Sequence, residues 1–365
     1  MKKFTALFLL LSLILCACGA QPGETTPPLT TQVPTTAPAE EAPTPIPATE
    51  APTEAPTEPP VVYTNPLTGE VLEEAMDSRT FAVTINNVPG AMPMYGVSKA
   101  DLFFEMFVND YCTRGLALYA DIREVGAVGS VRSLRYNFTD LCEVYDAIVA
   151  HASGSSQVMA DLSASGVPNV NVESEGSGYY FRDQNRIAEG YPWEHCLFVK
   201  GADILAYAEG KGTRVTRERD ADYGLRFIPD GTPDGERAEK IAINLKHDGA
   251  SKLTGMEYSA EEGKYLFHQF GQAMYDGWEK QNIYFENVIV MLCTVNNDGV
   301  YHVAELVGSG DGYYACGGKL IPIRWSHESM GAPILFTLTD GTPLQLGVGS
   351  SYVAIAPLNS TIEYE

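Results

Sequence analysis

A tract of 44 residues near the start of the chain, from position 19 to position 62, limits most strongly what can fold. It contains 12 Pro, 10 Thr and six Glu, with no Lys or Arg. Little of such a segment can be buried, so ordering it would cost conformational entropy without compensating apolar contacts. Proline also favours the extended polyproline II conformation. We therefore predict a disordered, semi-rigid stalk over 18–62 and expect a folded body only after it.

The residues before this tract are typical of a bacterial lipoprotein signal. Two lysines at positions 2 and 3 precede an apolar run over 4–15, which is too short to span a bilayer. The run ends in Leu15-Cys16-Ala17-Cys18, which places a Leu three residues before a Cys. We predict a signal peptide over 1–17 and a lipidated Cys18, with more than one acyl chain for stable anchoring. The expected location is the outer face of the cytoplasmic membrane; an ordinary secretory signal is the alternative.

Charge and cysteine usage exclude several classes of protein. After residue 62 there are 41 acidic and 22 basic residues, a net charge of −19. A nucleic-acid partner is therefore not expected. The cysteines of the body lie far apart without a C-x-x-C pair, so they indicate neither a zinc site nor a disulfide framework. Small buried hydrophobes are the simplest interpretation, with one oxidised pair as the alternative, for Cys112, Cys142, Cys196, Cys293 and Cys316.

The folded body divides into two predicted lobes. Over 63–212, β-rich segments alternate with two amphipathic helical patterns, the second opened by a plausible Ser N-cap. This order favours an α/β (α+β) class, with a mixed sheet layered by helices in a three-layer, sandwich-like arrangement. A polar, Pro- and Gly-rich linker over 213–237 follows. Over 238–365 the patterns are almost all β, including a hairpin-type turn at Asn296-Asn297-Asp298-Gly299, so we predict a β-rich C-terminal lobe.

The sequence matches none of the common catalytic signatures that we considered. It has no phosphate-binding loop of the G-x-x-x-x-G-K-[ST] type, no G-x-S-x-G nucleophile elbow and no H-E-x-x-H pair. Its six histidines do not fall at metal-ligand spacing. The sequence therefore predicts no metal site and no cofactor, and it favours a protein that is not an enzyme.

One basic constellation remains. Arg114 lies near a strand start, whereas Arg132 and Arg135 open the first helix after a Gly-rich loop. Loops that follow strand ends gather at one edge of an α/β sheet, where ligands commonly bind. Helix N-termini and planar guanidinium groups both accept anions. We therefore predict an anion-binding site whose ligand-binding residues are Arg114, Arg132, Arg135, Ser153, Ser155 and Arg182.

Each of these residues also has a structural interpretation. The arginines could form ion pairs with Asp101, Glu105 or Asp140, and Ser155 could be only a helix cap. A second hypothesis makes the protein an envelope hydrolase or transferase acting on glycan or phosphate linkages, with His151 as the base and Asp183 as its helper. A third makes the β-rich lobe a docking module for an envelope protein. Convergence of Arg132, His151 and Asp183 in one pocket favours the first two hypotheses, and dispersal favours the third.

Several motifs spread over residues 63–360 occur together in one known family. The most specific is Val128-Gly129-Ser130-Val131-Arg132-Ser133-Leu134-Arg135. The others are Asn65-Pro66-Leu67-Thr68-Gly69, Gly96-Val97-Ser98-Lys99-Ala100-Asp101, Thr113-Arg114, Tyr145-Asp146-Ala147-Ile148 with His151, Phe181-Arg182-Asp183, Asn287-Val288-Ile289-Val290, Val307-Gly308-Ser309-Gly310 and Arg324-Trp325. By these motifs the chain resembles the YerB-like lipoproteins of Gram-positive bacteria, a domain of unknown function in an N-terminal and a C-terminal part.

The resemblance implies an α/β layered fold and carries no established activity. The chain departs from the family at two places: Ser130 stands where the family usually has Pro, and Glu194-His195-Cys196 stands where it usually has Pro-His-Asn. Together with the anchor and the stalk, the basic constellation suggests an extracytoplasmic, lipid-anchored binding or scaffold protein of the cell envelope. Its expected ligand is an anionic wall-polymer or lipid-phosphate group.

Overall fold

The computed structural model describes residues 62–109, 112–174, 178–218 and 221–365. The predicted signal peptide, Cys18 and the stalk lie outside these residues. Among the helices that are described, we find none with the length and apolar character needed to cross a membrane.

Strands greatly outnumber helices in this part of the chain. We number in chain order the four α-helices and the strands of at least three residues. The helices are α1 (Tyr136–Val144), α2 (Ser156–Ser165), α3 (Gln184–Ala188) and α4 (Gly201–Gly210). The strands of the first half are β1 (Phe81–Asn87), β2 (Leu102–Asn109), β3 (Cys112–Tyr119), β4 (Ile148–His151), β5 (Asn169–Asn171), β6 (Tyr180–Arg182) and β7 (Leu197–Val199). Those of the second half are β8 (Lys240–His247), β9 (Ala250–Ser259), β10 (Lys264–Gln269), β11 (Asn287–Cys293), β12 (Val295–Asn297), β13 (His302–Ala304), β14 (Gly308–Cys316), β15 (Lys319–His327), β16 (Ile334–Leu338), β17 (Ser351–Pro357) and β18 (Thr361–Tyr364).

The largest sheet has eleven strands and contains strands from both halves of the chain. Its order is Glu236–Arg237, β15, β14, β11, β17, β2, β3, β1, β4 and β5, with β16 paired to β15. The late strand β17 lies between β11 and β2 and pairs in parallel with both. The polar segment 213–237 therefore does not separate two independent sheets, because residues on either side of it share one hydrogen-bonded ladder.

The two faces of this sheet pack against different layers. On one face, which we call the helix face, Leu116 and Phe104 lie in a core that also holds Phe138 of α1 and Leu162 of α2. On the other face, Phe103 packs with residues of a second sheet such as Phe267. Side-chain alternation in β2 and β3 produces both faces, because successive residues of a strand point to opposite sides. Each large side chain buried in these cores contributes roughly 1.5–3 kcal/mol.

The predicted mixed sheet is confirmed, but the molecule is more β-rich than the three-layer description implies. Helices α1 and α2 cover one face. The other face is covered mainly by a six-stranded sheet, ordered Gln272–Ala273, β10, β9, β8 and β18 with Tyr284–Phe285 on β10, and by a three-stranded sheet of Val128–Gly129, β7 and β6. In β8, alternate residues are buried, as expected for a strand with one face in the core.

Candidate functional site

The arginine-bearing segment is held between the end of β1 and the turn after β4. The amide of Asn86 donates to Ser130 O (2.9 Å), and the amide of Arg132 donates to Thr84 O (3.1 Å). On the other side, the amide of Ala152 donates to Arg132 O (2.9 Å). These backbone bonds make the segment an irregular extension of the sheet, so Arg132 and Arg135 start from fixed positions at the strand ends.

Arg114 reaches the same place from β3. It pairs with Asn86 of β1 and with Met106 of β2, so its side chain lies on the helix face. It is only 3% exposed, and one of its terminal nitrogens donates to Ser133 O (2.9 Å). Burial lowers the pKa of Arg114, and the nearby charges of Arg135 and Arg132 lower it further. The structure thus brings together three of the six predicted ligand-binding residues, Arg114, Arg132 and Arg135, which we call the arginine cluster.

Some hydrogen-bond donors of the arginine cluster have no acceptor among the described residues. The Nε atoms of all three arginines are buried and have no hydrogen-bond partner among the described residues. The same holds for Nδ2 of Asn86, which is 3% exposed and is the strand neighbour of Arg114 on the helix face. Buried polar groups of native proteins nearly always have hydrogen-bond partners. Several unpaired donors at one place therefore call for an explanation. Here all four orphans are donors.

No carboxylate neutralises this cluster in the part of the chain that the structure describes. Its rim carries an aromatic ring instead: the guanidinium of Arg135 lies over the ring of Tyr301, 4.5 Å from the centroid. Burial lowers the pKa of Arg135, and Tyr301 and Cys112 act in the opposite direction. Arg132 and Arg135 are half-buried, so the cluster is accessible from solvent on one side.

The carboxylates offered by the sequence as ion-pair partners are engaged elsewhere. Asp101 accepts hydrogen bonds from the amide of Ala120 (2.6 Å) and from Asn65 Nδ2 (2.9 Å). Asp140 accepts one from Asn137 Nδ2 (3.4 Å). Burial raises the pKa of both carboxyl groups to about 6, and no arginine is among the main groups that act on either pKa.

Glu105 forms a buried polar network of its own on the opposite face of the sheet. Burial acts to raise its pKa, but the ammonium of Lys252 and several hydrogen bonds keep that pKa below its ordinary value. Its two oxygens accept from six groups, which are Asn87 Nδ2 (3.0 Å), Thr113 Oγ1 (2.6 Å), Lys252 Nζ, Thr254 Oγ1 (3.0 Å), Gln269 Nε2 (2.9 Å) and Tyr352 OH (2.7 Å). We call these residues the Glu105 network.

The predicted residues around the turn after β4 have structural roles. His151 is fully buried, and its ring nitrogens lie 2.9 Å from Ser153 O and 3.2 Å from Asn169 Oδ1. It is therefore not placed to take a proton from a bound substrate. Ser153 adopts a positive φ of 60° at the corner of the turn, and its amide donates to Asn171 Oδ1 (3.0 Å). Ser155 Oγ accepts from the amide of Val158 (3.3 Å), which is the N-cap bond of α2.

Arg182 and Asp183 do not join the arginine cluster through any hydrogen bond or ion pair of the described residues. Arg182 donates to Trp193 O (2.8 Å), lies over the indole of Trp193, and approaches Glu173 at 3.6 Å. Asp183 caps α3 by accepting from the amide of Asn185 (2.9 Å), and its second oxygen accepts from the hydroxyl of Tyr95 (2.9 Å). Arg132, His151 and Asp183 therefore share no hydrogen bond or ion pair among the described residues. By the criterion given above, this dispersal counts against a catalytic pocket and in favour of a docking role, whereas the three arginines still lie together without Asp183.

The five cysteines of the described body are all unpaired. Four of them are buried, and Cys112 is half-buried at the start of β3. Burial raises the pKa of Cys293 and of Cys316 to about 12, so these thiols stay protonated at neutral pH.

Sequence reasoning missed two members of the site. Asn86 lies within β1, which continues through Asn87, and it was not among the candidate site residues. Tyr301 belongs to the predicted hairpin of the second half and comes to Arg135 only because that hairpin packs on α1. Asn137 of α1 makes this contact with both backbone groups of Ala304, at 2.7 and 2.8 Å. An aromatic residue in a hairpin carries no sequence signal for such a contact.

Comparison with known proteins gives a consistent result. Profiles for the N-terminal and C-terminal domains of a protein of unknown function (DUF3048) match residues 67–214 and 241–353. A curated relative, "Putative lipoprotein YerB" of Bacillus subtilis (strain 168), is 23% identical over 297 residues, which are 80% of this chain and 86% of that protein. The crystal structure of the YerB protein from Bacillus subtilis has a TM-score of 0.71 at 22% identity, and the match covers 82% of this chain and 99% of that one. With both domains present in order and the fold shared, this chain belongs to the DUF3048 family, the YerB-like lipoproteins.

Proposed function

We propose that this protein is a membrane-tethered binding protein of the cell envelope, and that it holds a phosphate-bearing or carboxylate-bearing group against the arginine cluster. The observation that carries this proposal is the set of orphan donors: three guanidinium Nε atoms and the amide of Asn86, which no carboxylate of the described residues approaches as a hydrogen-bond or ion-pair partner. An anion at this place would accept hydrogen bonds that the protein itself leaves unmade.

Two further features favour an anion there. Arg135 is the N-cap residue of helix α1 and makes no side-chain cap bond, so the first amides of the helix and the positive end of its dipole lie beside the cluster. The net charge of the whole chain is −23, so a local group of three positive charges is the attractive spot on a surface that otherwise repels anions.

Tethering is proposed from the sequence and from the relative. The lipoprotein signal with Cys18, the Pro- and Thr-rich stalk and the name of the Bacillus subtilis relative all support an extracytoplasmic protein anchored by lipid. Anionic polymers and lipid headgroups are the anions within reach of such a tether. We place the protein among binding or scaffold proteins because no carboxylate or histidine of the described residues forms a hydrogen bond or ion pair with the arginine cluster.

The test is a calorimetric titration of the full-length protein with inorganic phosphate, with a phosphate-bearing wall-polymer fragment and with acetate. Each charge-assisted hydrogen bond contributes about 1.5–3 kcal/mol, so we expect Arg132→Ala to weaken phosphate binding about 10- to 100-fold. Acetate binding in preference to phosphate would identify a carboxylate ligand.

Arg226→Ala is the matched control. Arg226 is an exposed arginine that is paired with Asp222 at 2.7 Å, so its removal changes the net charge equally but leaves the cluster intact. If phosphate binding weakens equally in both variants, the effect comes from the overall charge and not from the arginine cluster. Unchanged affinity in Arg132→Ala, or no binding by the wild-type protein, would overturn the proposal.

A further inference from the structure

Two hairpins bring together a group of side chains that their sequence spacing does not connect. His247 and Asp248 lie at the turn between β8 and β9, and His302 begins β13 in the hairpin with β12. One ligand-type atom from each of the three residues lies within 4.8 Å of the other two. We propose that His247, Asp248 and His302 form a binding site for a divalent transition-metal ion of the zinc class, which goes beyond the proposed anion binding.

The distances within the group suit such an ion. His247 Nε2 and Asp248 Oδ2 are 3.5 Å apart. With metal–ligand bonds of about 2.0–2.2 Å, the ligand atoms of a tetrahedral zinc site lie about 3.3–3.6 Å from one another. The imidazoles of His247 and His302 have their centroids 4.2 Å apart and are nearly perpendicular, at 83°. One nitrogen of each ring lies within 4.8 Å of the other and of a carboxylate oxygen of Asp248, a spacing slightly wider than that around a bound zinc ion.

Local structure explains why these side chains are held in place. His247 pairs with Ala250 across a two-residue turn, in which Asp248 and Gly249 both have positive φ, the conformation of a type I′ hairpin. In the second hairpin, Asp298 accepts from the amides of Val300 and Tyr301 at 2.8 and 2.6 Å, which fixes the approach to His302. The three proposed metal ligands thus come from two hairpins whose turns have well-defined backbone conformations.

The burial of these three side chains and the hydrogen bond that one of them accepts resemble those of a metal site. His302 is 3% exposed and His247 is 9% exposed, whereas Asp248 lies open to solvent. Asn297 Nδ2 donates to Asp248 Oδ2 (3.3 Å), and outer hydrogen bonds of this kind orient ligating carboxylates. Three protein ligands leave a fourth position for water or for another donor. Two imidazoles with one carboxylate favour zinc and similar ions over magnesium or calcium, which prefer oxygen ligands.

The site lies next to the arginine cluster along the chain, because His302 follows Tyr301, which covers Arg135. An ion held here would add positive charge near the proposed anion site. The two proposals have separate measurements, since zinc binding can be scored without any anion and phosphate binding can be scored after chelation.

The test measures zinc binding to the full-length protein by calorimetry and by metal content after dialysis, in buffer without phosphate. We expect one Zn²⁺ per chain at this site and no comparable binding of Mg²⁺. Asp248→Asn should weaken Zn²⁺ binding at least about 10- to 100-fold, the range seen when even outer contacts of metal ligands are removed. His302→Ala should abolish binding at this site.

The matched control is His268→Ala. His268 lies 3.5 Å from Glu257 on the same six-stranded sheet, so it is a comparable His–carboxylate pair without a second histidine. Zn²⁺ binding should be unchanged in this variant. If His302→Ala fails to fold, Asp248→Asn still decides, because Asp248 is exposed. Wild-type protein without Zn²⁺ binding, or binding that is equally strong in Asp248→Asn and in His268→Ala, would overturn the proposal.

Discussion

The arginine cluster and the Glu105 network are two polar groups centred on buried residues at neighbouring positions of β3 and β2, Arg114 and Glu105, which lie on opposite faces of the sheet. Glu105 receives six donors, and its charge is matched by Lys252. The arginine cluster has three positive charges, orphan donors and no carboxylate among the described residues. In the Glu105 network the carboxylate has its donors and its counter-charge in place, although Asn87 Oδ1 has no described partner. A buried charge paired in this way specifies the fold, whereas unpaired donors of a single sign leave room for a ligand. The comparison therefore assigns structure to one group and binding to the other.

The largest effect is expected from breaking the satisfied group. Glu105→Ala leaves the ammonium of Lys252 buried without its counter-charge and removes the acceptor of five further donors. Breaking one half of a buried ion pair costs about 3–5 kcal/mol, so we expect a loss of stability of that size. Unfolding in urea, followed by circular dichroism, measures it. A loss below about 1 kcal/mol would show that the Glu105 network does not hold the sheets together.

Asp140 tests whether the arginine cluster is truly unpaired. Its carboxyl group has a pKa raised to about 6 by burial, against an ordinary value of 3.8. Between these values the folded form keeps a proton that the unfolded chain has lost, so stability must fall as the pH rises from about 4 to about 6. At 1.36 kcal/mol for each pKa unit, the contribution of Asp140 is on the order of 1–3 kcal/mol, and Asp101 acts in the same direction.

The measurement compares urea unfolding of wild-type protein and Asp140→Asn at pH 4 and pH 7. We expect the variant to be the more stable of the two at pH 7 and to lose less stability between the two pH values. The opposite pattern, with Asp140 titrating below 3.8, would mean that an arginine pairs with it. The contrast between the two polar groups would then disappear.

The variant Arg114→Met tests directly whether the arginine cluster differs from the Glu105 network in its contribution to stability. Arg114 is buried beside two like charges, and its removal relieves their repulsion at the loss of one hydrogen bond to Ser133 O. Replacing buried charges by apolar groups of similar volume is often neutral or stabilising, so we expect stability to be unchanged or higher by about 1–2 kcal/mol. Thermal unfolding gives the stability and calorimetry gives phosphate affinity, which should fall. A loss of several kcal/mol would place Arg114 with the structural residues.

The sequence predicted much of the fold because its patterns are local. The β-rich segments over 63–212, the two amphipathic helical patterns and the Ser cap of the second helix all depend on residues close to each other in sequence. The pairing of β17 with β2 could not be predicted, since two strands about 250 positions apart share no local pattern. For the same reason, the covering layer of sheet, in place of helices, was not foreseen.

The candidate site was predicted in part. Arg114, Arg132 and Arg135 meet because strand ends share an edge, which follows from topology. Arg182 and Asp183, which follow an aromatic pair, were expected at the rim of the same site. In the structure they contact Trp193, Glu173, Tyr95 and the start of α3 instead. His247 and His302 were set aside because metal-ligand spacing was sought along the chain. Their contact comes from two hairpin turns that meet only in the folded protein.

The smallest expected effect concerns Ser155, which could belong to either side of the comparison. Its hydroxyl accepts from the amide of Val158, so that amide is not open to an anion. Loss of an N-cap costs about 1 kcal/mol, and we expect Ser155→Ala to lose this stability while phosphate affinity stays the same. Ser156→Ala, at the exposed first residue of α2, is the control and should change neither quantity. Weaker phosphate binding by Ser155→Ala alone would extend the anion site to α2, and the boundary between structural and binding residues would then lie beyond the arginine cluster.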